Sequence, residues 1–239
     1  MYDGTDYHGF QRQKNGITIQ ECLETAIEKI TGDKTAVYGC GRTDAGVHAS
    51  CYTANFHTFS KISTEKLPLA LNSQLNEDIR VFSAEDVEED FHSRYSAVSK
   101  TYTYKIVNKP VMDVFLSRYS WFYPQKLDVD KMKKAAEHIV GTHDFAAFMA
   151  AGSPVSSTVR NVTALSVDEK DGVIDIEVSA NGFLYNMVRI ITGTLVYAGV
   201  GKILPEEVPG IILSGDRTRA GITAPPQGLC LKKSFYKEG

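Results

Sequence analysis

From residue 99 to residue 236 the hydrophobic pattern switches repeatedly between a period of two and one of 3.6. That order restricts the fold more than any single residue does. Residues 99–107 alternate, with Tyr102, Tyr104 and Ile106 on one face and Thr101, Thr103 and Lys105 on the other. Residues 128–140 form an amphipathic helical pattern that stops at Gly141. Two further alternating runs, 159–168 and 173–180, flank Glu169-Lys170-Asp171-Gly172, which has the composition of a hairpin turn. A strongly apolar helix is expected over 183–198, a shorter one over 205–213, and a closing strand over 229–236.

The first half follows the same order with its opening strand missing. Thr18-Ile19-Gln20-Glu21 has capping-box spacing, and Ile19, Cys22, Leu23, Ala26, Ile27 and Ile30 recur at helical intervals up to a C-cap at Gly32. Strands are expected over 35–40, 51–57 and 79–87, with a helix over 64–75 that carries Pro68 in its first turn. Each half thus reads β-α-β-β-α-β, the split βαβ pattern of ferredoxin-like domains. The expected fold is α+β: two ferredoxin-like halves, 1–97 and 98–239, sharing one continuous, mostly antiparallel sheet flanked by helices.

Composition excludes several classes. The 239 residues are 43% hydrophobic, enough for a sizeable core, and no charge-free apolar run is long enough to span a bilayer. The N-terminus has neither a basic nor an apolar region of a signal peptide, so a soluble, cytoplasmic protein is expected. Cys22, Cys40, Cys51 and Cys230 show no metal-ligand spacing and read as small buried hydrophobes. The net charge of −3 gives no global sign of a nucleic-acid partner. It hides an asymmetry, because Glu85, Asp86, Glu88, Glu89 and Asp90 crowd one acidic run. Arg94, Lys100, Lys105 and Lys109 follow, interleaved with Tyr95, Tyr102 and Tyr104. Cations spaced among aromatics can neutralise phosphates and stack bases, or can line two faces of one strand.

The chemistry-bearing segment is Gly41-Arg42-Thr43-Asp44-Ala45-Gly46-Val47-His48. Its glycines free the backbone for a tight turn that can hold the Asp44 carboxylate toward a ligand. Alone, such a cluster also fits an ordinary loop. Arg189 lies in the apolar helix among Met187, Val188, Ile190 and Ile191, so it must either snorkel outward or find an anionic partner. Gly199-Val200-Gly201-Lys202-Ile203 fails as a P-loop, Gly39-x-Gly41 lacks the third glycine of a dinucleotide fingerprint, and no nucleophile elbow or H-E-x-x-H occurs. His48 reads as a structural hydrogen-bonder rather than a metal ligand.

The octapeptide resembles, without a substitution, the active-site signature of tRNA pseudouridine synthases of the TruA family. Further stretches resemble that family in order along the chain: Tyr2-Asp3-Gly4-Thr5, Gly9-Phe10-Gln11-Arg12-Gln13, Asp90-Phe91-His92-Ser93-Arg94-Tyr95-Ser96-Ala97, Lys100-Thr101-Tyr102-Thr103-Tyr104, Asn186-Met187-Val188-Arg189, Arg219-Ala220-Gly221 and Gly228-Leu229. The resemblance implies the pseudouridine synthase fold and an isomerase that converts uridines 38, 39 and 40 of the tRNA anticodon arm to pseudouridine. It implies a homodimer that needs no cofactor or metal and has tRNA, not DNA or a membrane, as its partner. By the same resemblance Asp44 is the catalytic aspartate, Tyr102 stacks on the target base, Arg189 pairs with Asp44, and Arg42 positions the substrate. The alternatives are a paralogue acting on another RNA, such as ribosomal RNA, and a non-catalytic RNA-binding module.

Overall fold

The computed structural model describes residues 1–152 and 155–237. Its backbone contacts divide the chain into two compact units, Ser99–Cys230 and Met1–Val98 together with the chain from Leu231 on. The fold is mixed α+β, with a large, mostly antiparallel sheet flanked by helices.

The second unit contains the long strands. Numbered along the whole chain, β4 (Ala97–Val107), β8 (Val173–Ala180), β7 (Val159–Lys170) and β6 (Gly141–Asp144) lie side by side in that order, each antiparallel to its neighbour. The short β5 (Trp121–Phe122) pairs parallel to the end of β4. β7 and β8 are joined by Asp171 and Gly172, both at positive φ (53° and 74°), the backbone that a two-residue type I′ hairpin requires. Tyr102, Tyr104 and Ile106 of β4 are buried and set against Val178, Ile176 and Ile174 of β8; on the opposite face Thr103 and Lys105 are partly exposed, while Thr101 and Val107 are buried as well. β6 was not visible in the sequence. Its four residues Gly-Thr-His-Asp carry no apolar alternation, and pairing to β7 alone makes them a strand.

Two helices, α3 (Val129–Glu137) and α4 (Met187–Gly199), pack together in this unit. The Asp128 side chain caps α3 by accepting from the Lys131 N–H at 3.1 Å. α4 is buried on nearly every side, with only Arg189 and Tyr197 outside its buried set. It starts four residues later than the apolar pattern predicts, because Asn186 sits in the left-handed region (φ 59°, ψ 9°) and breaks the helical run. The Asn186 side chain makes no cap. That lost cap is worth about 1 kcal/mol, little beside about 1.5–3 kcal/mol for each buried Ile, Leu or Val side chain of the helix. At Gly193 the helix backbone meets another segment: a Cβ there would lie 1.8 Å from the Ile222 carbonyl oxygen. α5 (Val208–Ser214), preceded by a 3-10 turn at Pro205–Glu207, completes the helices expected here.

The first unit is built differently. α1 (Ile19–Thr31) begins at its expected Thr18 cap and ends at Gly32 in the left-handed conformation. Three of its strands are two residues each: β1 (Tyr38–Gly39) paired with β3 (Ala54–Asn55), and β2 (His48–Ala49). α2 (Leu67–Asn72) carries Pro68 near its start, as its spacing predicts. The expected strand over 79–87 does not form; only Ile79 makes an isolated bridge, to Tyr2. The segment runs into the exposed acids Glu85–Asp90 and finds no edge to pair with beyond that bridge. Residues 1–3 form no strand, yet Tyr2 bridges Ala49 on one side and Ile79 on the other. Ser50 N–H donates to Leu231 O at 2.9 Å, so β9 (Leu229–Tyr236) gives most of its length to this unit.

Candidate active site

Asp44 sits at the first position of a β-turn closed by the Val47 N–H donating to its carbonyl at 3.1 Å. Gly46, third in that turn, has φ 77°, the conformation a type II turn demands of its third residue. The turn therefore projects Asp44 from a backbone fixed on both sides, and the residue stays half-buried.

The N-terminal segment supplies the cradle. The Phe10 N–H donates to the Thr43 carbonyl at 3.2 Å, and the Gly46 N–H donates to the Tyr7 carbonyl at 3.2 Å. The Tyr2 hydroxyl is hydrogen-bonded to the buried Thr43 hydroxyl at 2.8 Å. His48 lies buried, accepting from the Gly4 N–H at Nδ1 (3.1 Å), with Asp3 Oδ1 3.1 Å from the same nitrogen. The expectation that His48 is a structural hydrogen-bonder agrees with this geometry. Two glycines make the approach possible. A Cβ on Gly4 would lie 2.0 Å from Val47 O, and one on Gly9, itself at φ 82°, would lie 2.3 Å from Thr43 O. The sequence by itself shows no role for Tyr2-Asp3-Gly4 and Gly9-Phe10. Their role is to hold the Asp44 loop, and the missing signal was the contact across about forty residues of chain.

Tyr7 shows how firmly this segment is packed. Its hydroxyl donates to Asp78 Oδ1 at 2.6 Å. Burial first, and that acceptor second, push the phenol well above its usual range.

Arg42 lies two residues before Asp44 with its side chain exposed. It borders a shallow pocket of about 110 Å³ together with Phe10, Tyr38, Gly41, His92 and Arg94. Behind it, the Tyr52 hydroxyl donates to the Gly41 carbonyl, and the Tyr52 and Phe10 rings stack 4.5 Å apart. Arg42 and Asp44 thus share one loop of the first unit.

Tyr102 and Arg189 belong to the second unit, on β4 and α4. Tyr102 keeps 7% of its surface exposed, and the Phe183 ring meets it edge-on at a centroid distance of 5.1 Å. A ring clamped in this way is a fixed wall rather than a mobile flap. Its strand neighbour Tyr104 is fully buried, with its hydroxyl donating to Pro225 O at 2.7 Å, and burial drives that phenol far above its ordinary value. Of the two tyrosines, only Tyr102 retains a surface to offer.

Arg189 stands in the first turn of α4, where the helix dipole disfavours a cation. Helix stability gives no reason for its place there. Its guanidinium is oriented by two neutral acceptors: Nε donates to Ala224 O at 2.7 Å, and Nη1 donates to Asn186 Oδ1 at 2.8 Å. The Ala224 N–H returns a bond to Arg189 O at 3.1 Å, which ties the loop at 224 to the helix. Asn186 is the second residue whose part was not legible in advance. Its carboxamide, diverted from capping, aims the arginine instead.

Among the described residues, no three His, Cys, Asp or Glu side chains group as metal ligands, and no helix is long and apolar enough to cross a membrane.

Residues 1–96 and 135–237 match the family described as tRNA pseudouridine synthase. Asp44, Arg42 and Arg189 fall inside the matched segments, while Tyr102 falls in the interval between them. A protein of Thermoanaerobacter sp. (strain X514) named tRNA pseudouridine synthase A is 54% identical over 235 residues, covering 98% of this chain and 96% of that one. Proteins of the same name from Ruminiclostridium cellulolyticum and Caldicellulosiruptor bescii are 50% and 48% identical, again over 98% of this chain and 96% of each relative. The chain belongs to the tRNA pseudouridine synthase family and is, like its members, an isomerase.

Proposed function

We propose that the protein converts uridines 38, 39 and 40 of the tRNA anticodon arm to pseudouridine, with Asp44 as the catalytic group, working as a homodimer in the cytoplasm without a cofactor. The observation that carries this reading is the Asp44 turn, a half-buried carboxylate held on a backbone locked by Tyr2, Gly4, Tyr7 and Phe10. A binding module has no use for a preorganised acid facing phosphates.

The reaction breaks the N1–C1′ bond of the uridine, turns the uracil, and joins its C5 to C1′. The proton displaced from C5 is returned to a ring nitrogen, so nothing is added or lost. A carboxylate can act as nucleophile in the first step and take up the C5 proton in the last. Arg189, oriented by Ala224 and Asn186, supplies the positive charge beside which that carboxylate works. A uracil stacked in a stem is out of reach, so the target nucleotide is flipped out, which costs a few kcal/mol. Stacking on Tyr102 recovers about 1–3 kcal/mol of it, and Arg42 steers the flipped strand. The N-terminal half, 1–97, brings the acid; the C-terminal half, 98–239, brings the stacking ring and the arginine.

The test is to incubate the protein with total RNA from cells lacking the endogenous activity and map pseudouridines. Modification at 38–40 of tRNA that vanishes in Asp44→Asn and Asp44→Ala, with tRNA affinity changed only a few fold, is the expected result. Turnover surviving in either variant refutes the role of Asp44. Modification confined to ribosomal RNA establishes the paralogue reading, and no modification at all leaves an RNA-binding module.

A further inference from the structure

The pocket beside Arg42 is unusual in its electrostatics. The chain has nine arginines. Among the described residues, Arg42 and Arg94 are the two whose guanidinium groups make no hydrogen bond or ion pair, and both line this pocket. Arg12, by contrast, is matched to Glu21 and Glu24, and Arg80, Arg160, Arg189, Arg217 and Arg219 all donate to oxygens of the chain. Two exposed guanidiniums without a carboxylate form an anion-binding arrangement, since the planar fork suits phosphate oxygens.

Aromatic rings stand beside the cations. Tyr38 and His92 have ring centroids 5.2 Å apart, His92 and Tyr95 4.4 Å, and the Arg94 guanidinium lies 5.5 Å over the Tyr95 ring. Tyr95 is 75% exposed and Tyr38 is 44% exposed, so neither ring is part of the core.

The exposure does not come from a loose loop. Ser93, between His92 and Arg94, is fully buried; its hydroxyl donates to Tyr38 O at 2.6 Å and its N–H to Asn55 Oδ1 at 2.9 Å. Its carbonyl accepts from the Tyr236 hydroxyl at 2.8 Å. The turn is closed again by the Ser96 N–H donating to His92 O at 2.9 Å. A backbone this well fixed, holding bare rings and unpaired cations outward, has no folding purpose.

We infer that Tyr38, His92 and Tyr95 with Arg42 and Arg94 bind the nucleotide adjoining the target uridine, the base against the exposed rings and its phosphate against the guanidiniums. The adjoining position follows from chain geometry. Arg42 and Asp44 are two residues apart, so their Cα atoms lie within about 7 Å, which is about one or two nucleotide steps along a strand. Stacking on such a platform is tolerant of base identity, as a site that serves neighbouring positions requires. This inference rests on the reading that the protein modifies RNA, and it concerns affinity rather than the bond-breaking step.

The experiment measures binding of a tRNA transcript to the full-length protein over a salt series, alongside pseudouridine formation under single-turnover conditions. Arg94→Gln is expected to weaken binding and to flatten the dependence of log K on log salt by about 0.7–0.9, the contribution of one phosphate contact. Lys131→Gln, which removes a cation already near Asp128 elsewhere, leaves that slope as it was. Tyr95→Leu is expected to raise Kd about tenfold, and Tyr95→Trp to restore it. In both damaging variants the loss should fall on the half-saturating RNA concentration more than on the plateau rate. A Kd within twofold of the wild type in both Arg94→Gln and Tyr95→Leu, with the salt slope of Arg94→Gln unchanged, overturns the inference. Failure of the wild type to form pseudouridine refutes the proposed activity instead, and the binding series still decides this site.

Discussion

The two compact units hold their functional groups by different means. In the first, three strands of two residues each leave the Asp44 turn to be fixed by individual hydrogen bonds and by glycine backbones pressed against it. In the second, strands of up to twelve residues and a helix buried on nearly every side fix Tyr102 and Arg189 by apolar packing. A hydrogen-bonded loop can place a carboxylate at a turn tip where solvent and substrate reach it. A packed core holds a ring rigidly but surrenders most of its surface. The division suits the proposed roles: the reacting acid is on the open, bonded element, and the stacking ring is on the closed, packed one.

The contrast can be broken most severely at the glycines. Gly193→Ala drives a methyl to within 1.8 Å of the Ile222 carbonyl oxygen, and Gly4→Ala drives one to within 2.0 Å of the Val47 carbonyl oxygen. Each is expected to cost about 3 kcal/mol or more, since backbone cannot yield as a side chain would. The two should differ in reach. Gly193→Ala should lower the Tm of the packed unit as a whole. Gly4→Ala should mainly free the Asp44 turn, seen as faster amide exchange over 43–48 while amides of β7 and β8 keep their protection. Equal loss of protection in both units for both variants would contradict the comparison.

Asn186 sharpens it next. Asn186→Gly suits the left-handed backbone at that position but removes the acceptor for Arg189 Nη1. Turnover is expected to fall about tenfold, or about 1.4 kcal/mol, with folding stability unchanged within about 0.5 kcal/mol. A parallel drop in both would make Asn186 a purely structural residue.

The smallest effect is at Tyr236, whose hydroxyl holds Ser93 and whose phenol is pushed up to about 12, first of all by burial. A folded value above the unfolded one, about 10, means the buried neutral phenol supports the fold fully below pH 10. That support is lost as the pH rises from about 10 to about 12. Tyr236→Phe should cost about 1 kcal/mol at neutral pH and flatten the alkaline fall in Tm over that window. An alkaline limb identical to the wild type removes Tyr236 from the account.

Legibility in the sequence followed the same division. β8 and β9 coincide with their patterns to the residue, and β4 and β7 extend theirs by two, because long runs of alternating burial leave one solution. The first unit was read less well. Expected strands at 35–40 and 51–57 shrink to Tyr38–Gly39 and Ala54–Asn55, and that at 79–87 to a bridge at Ile79. There, apolar residues pack without a ladder, and period gives no warning of it. Asp44, Arg42, Tyr102 and Arg189 stood out through motif and resemblance. Asn186 carries no role in the sequence, and Arg94 shows there only as one of several cations among aromatics, because what distinguishes them is the partner they have or lack in space.

The sequence alone determined the long strands β4, β7, β8 and β9, the placement of the five helices, the turn chemistry at Asp171-Gly172 and Gly46, and the family to which the octapeptide points. These are local properties, fixed by burial period and by which residues tolerate positive φ. The tertiary structure decided that residues 2–10 grip the Asp44 turn, that Asn186 gives up its cap to aim Arg189, and that two unpaired arginines share one pocket with exposed rings. Each of these depends on groups distant in the chain or on the absence of a counter-charge, and no periodicity encodes either.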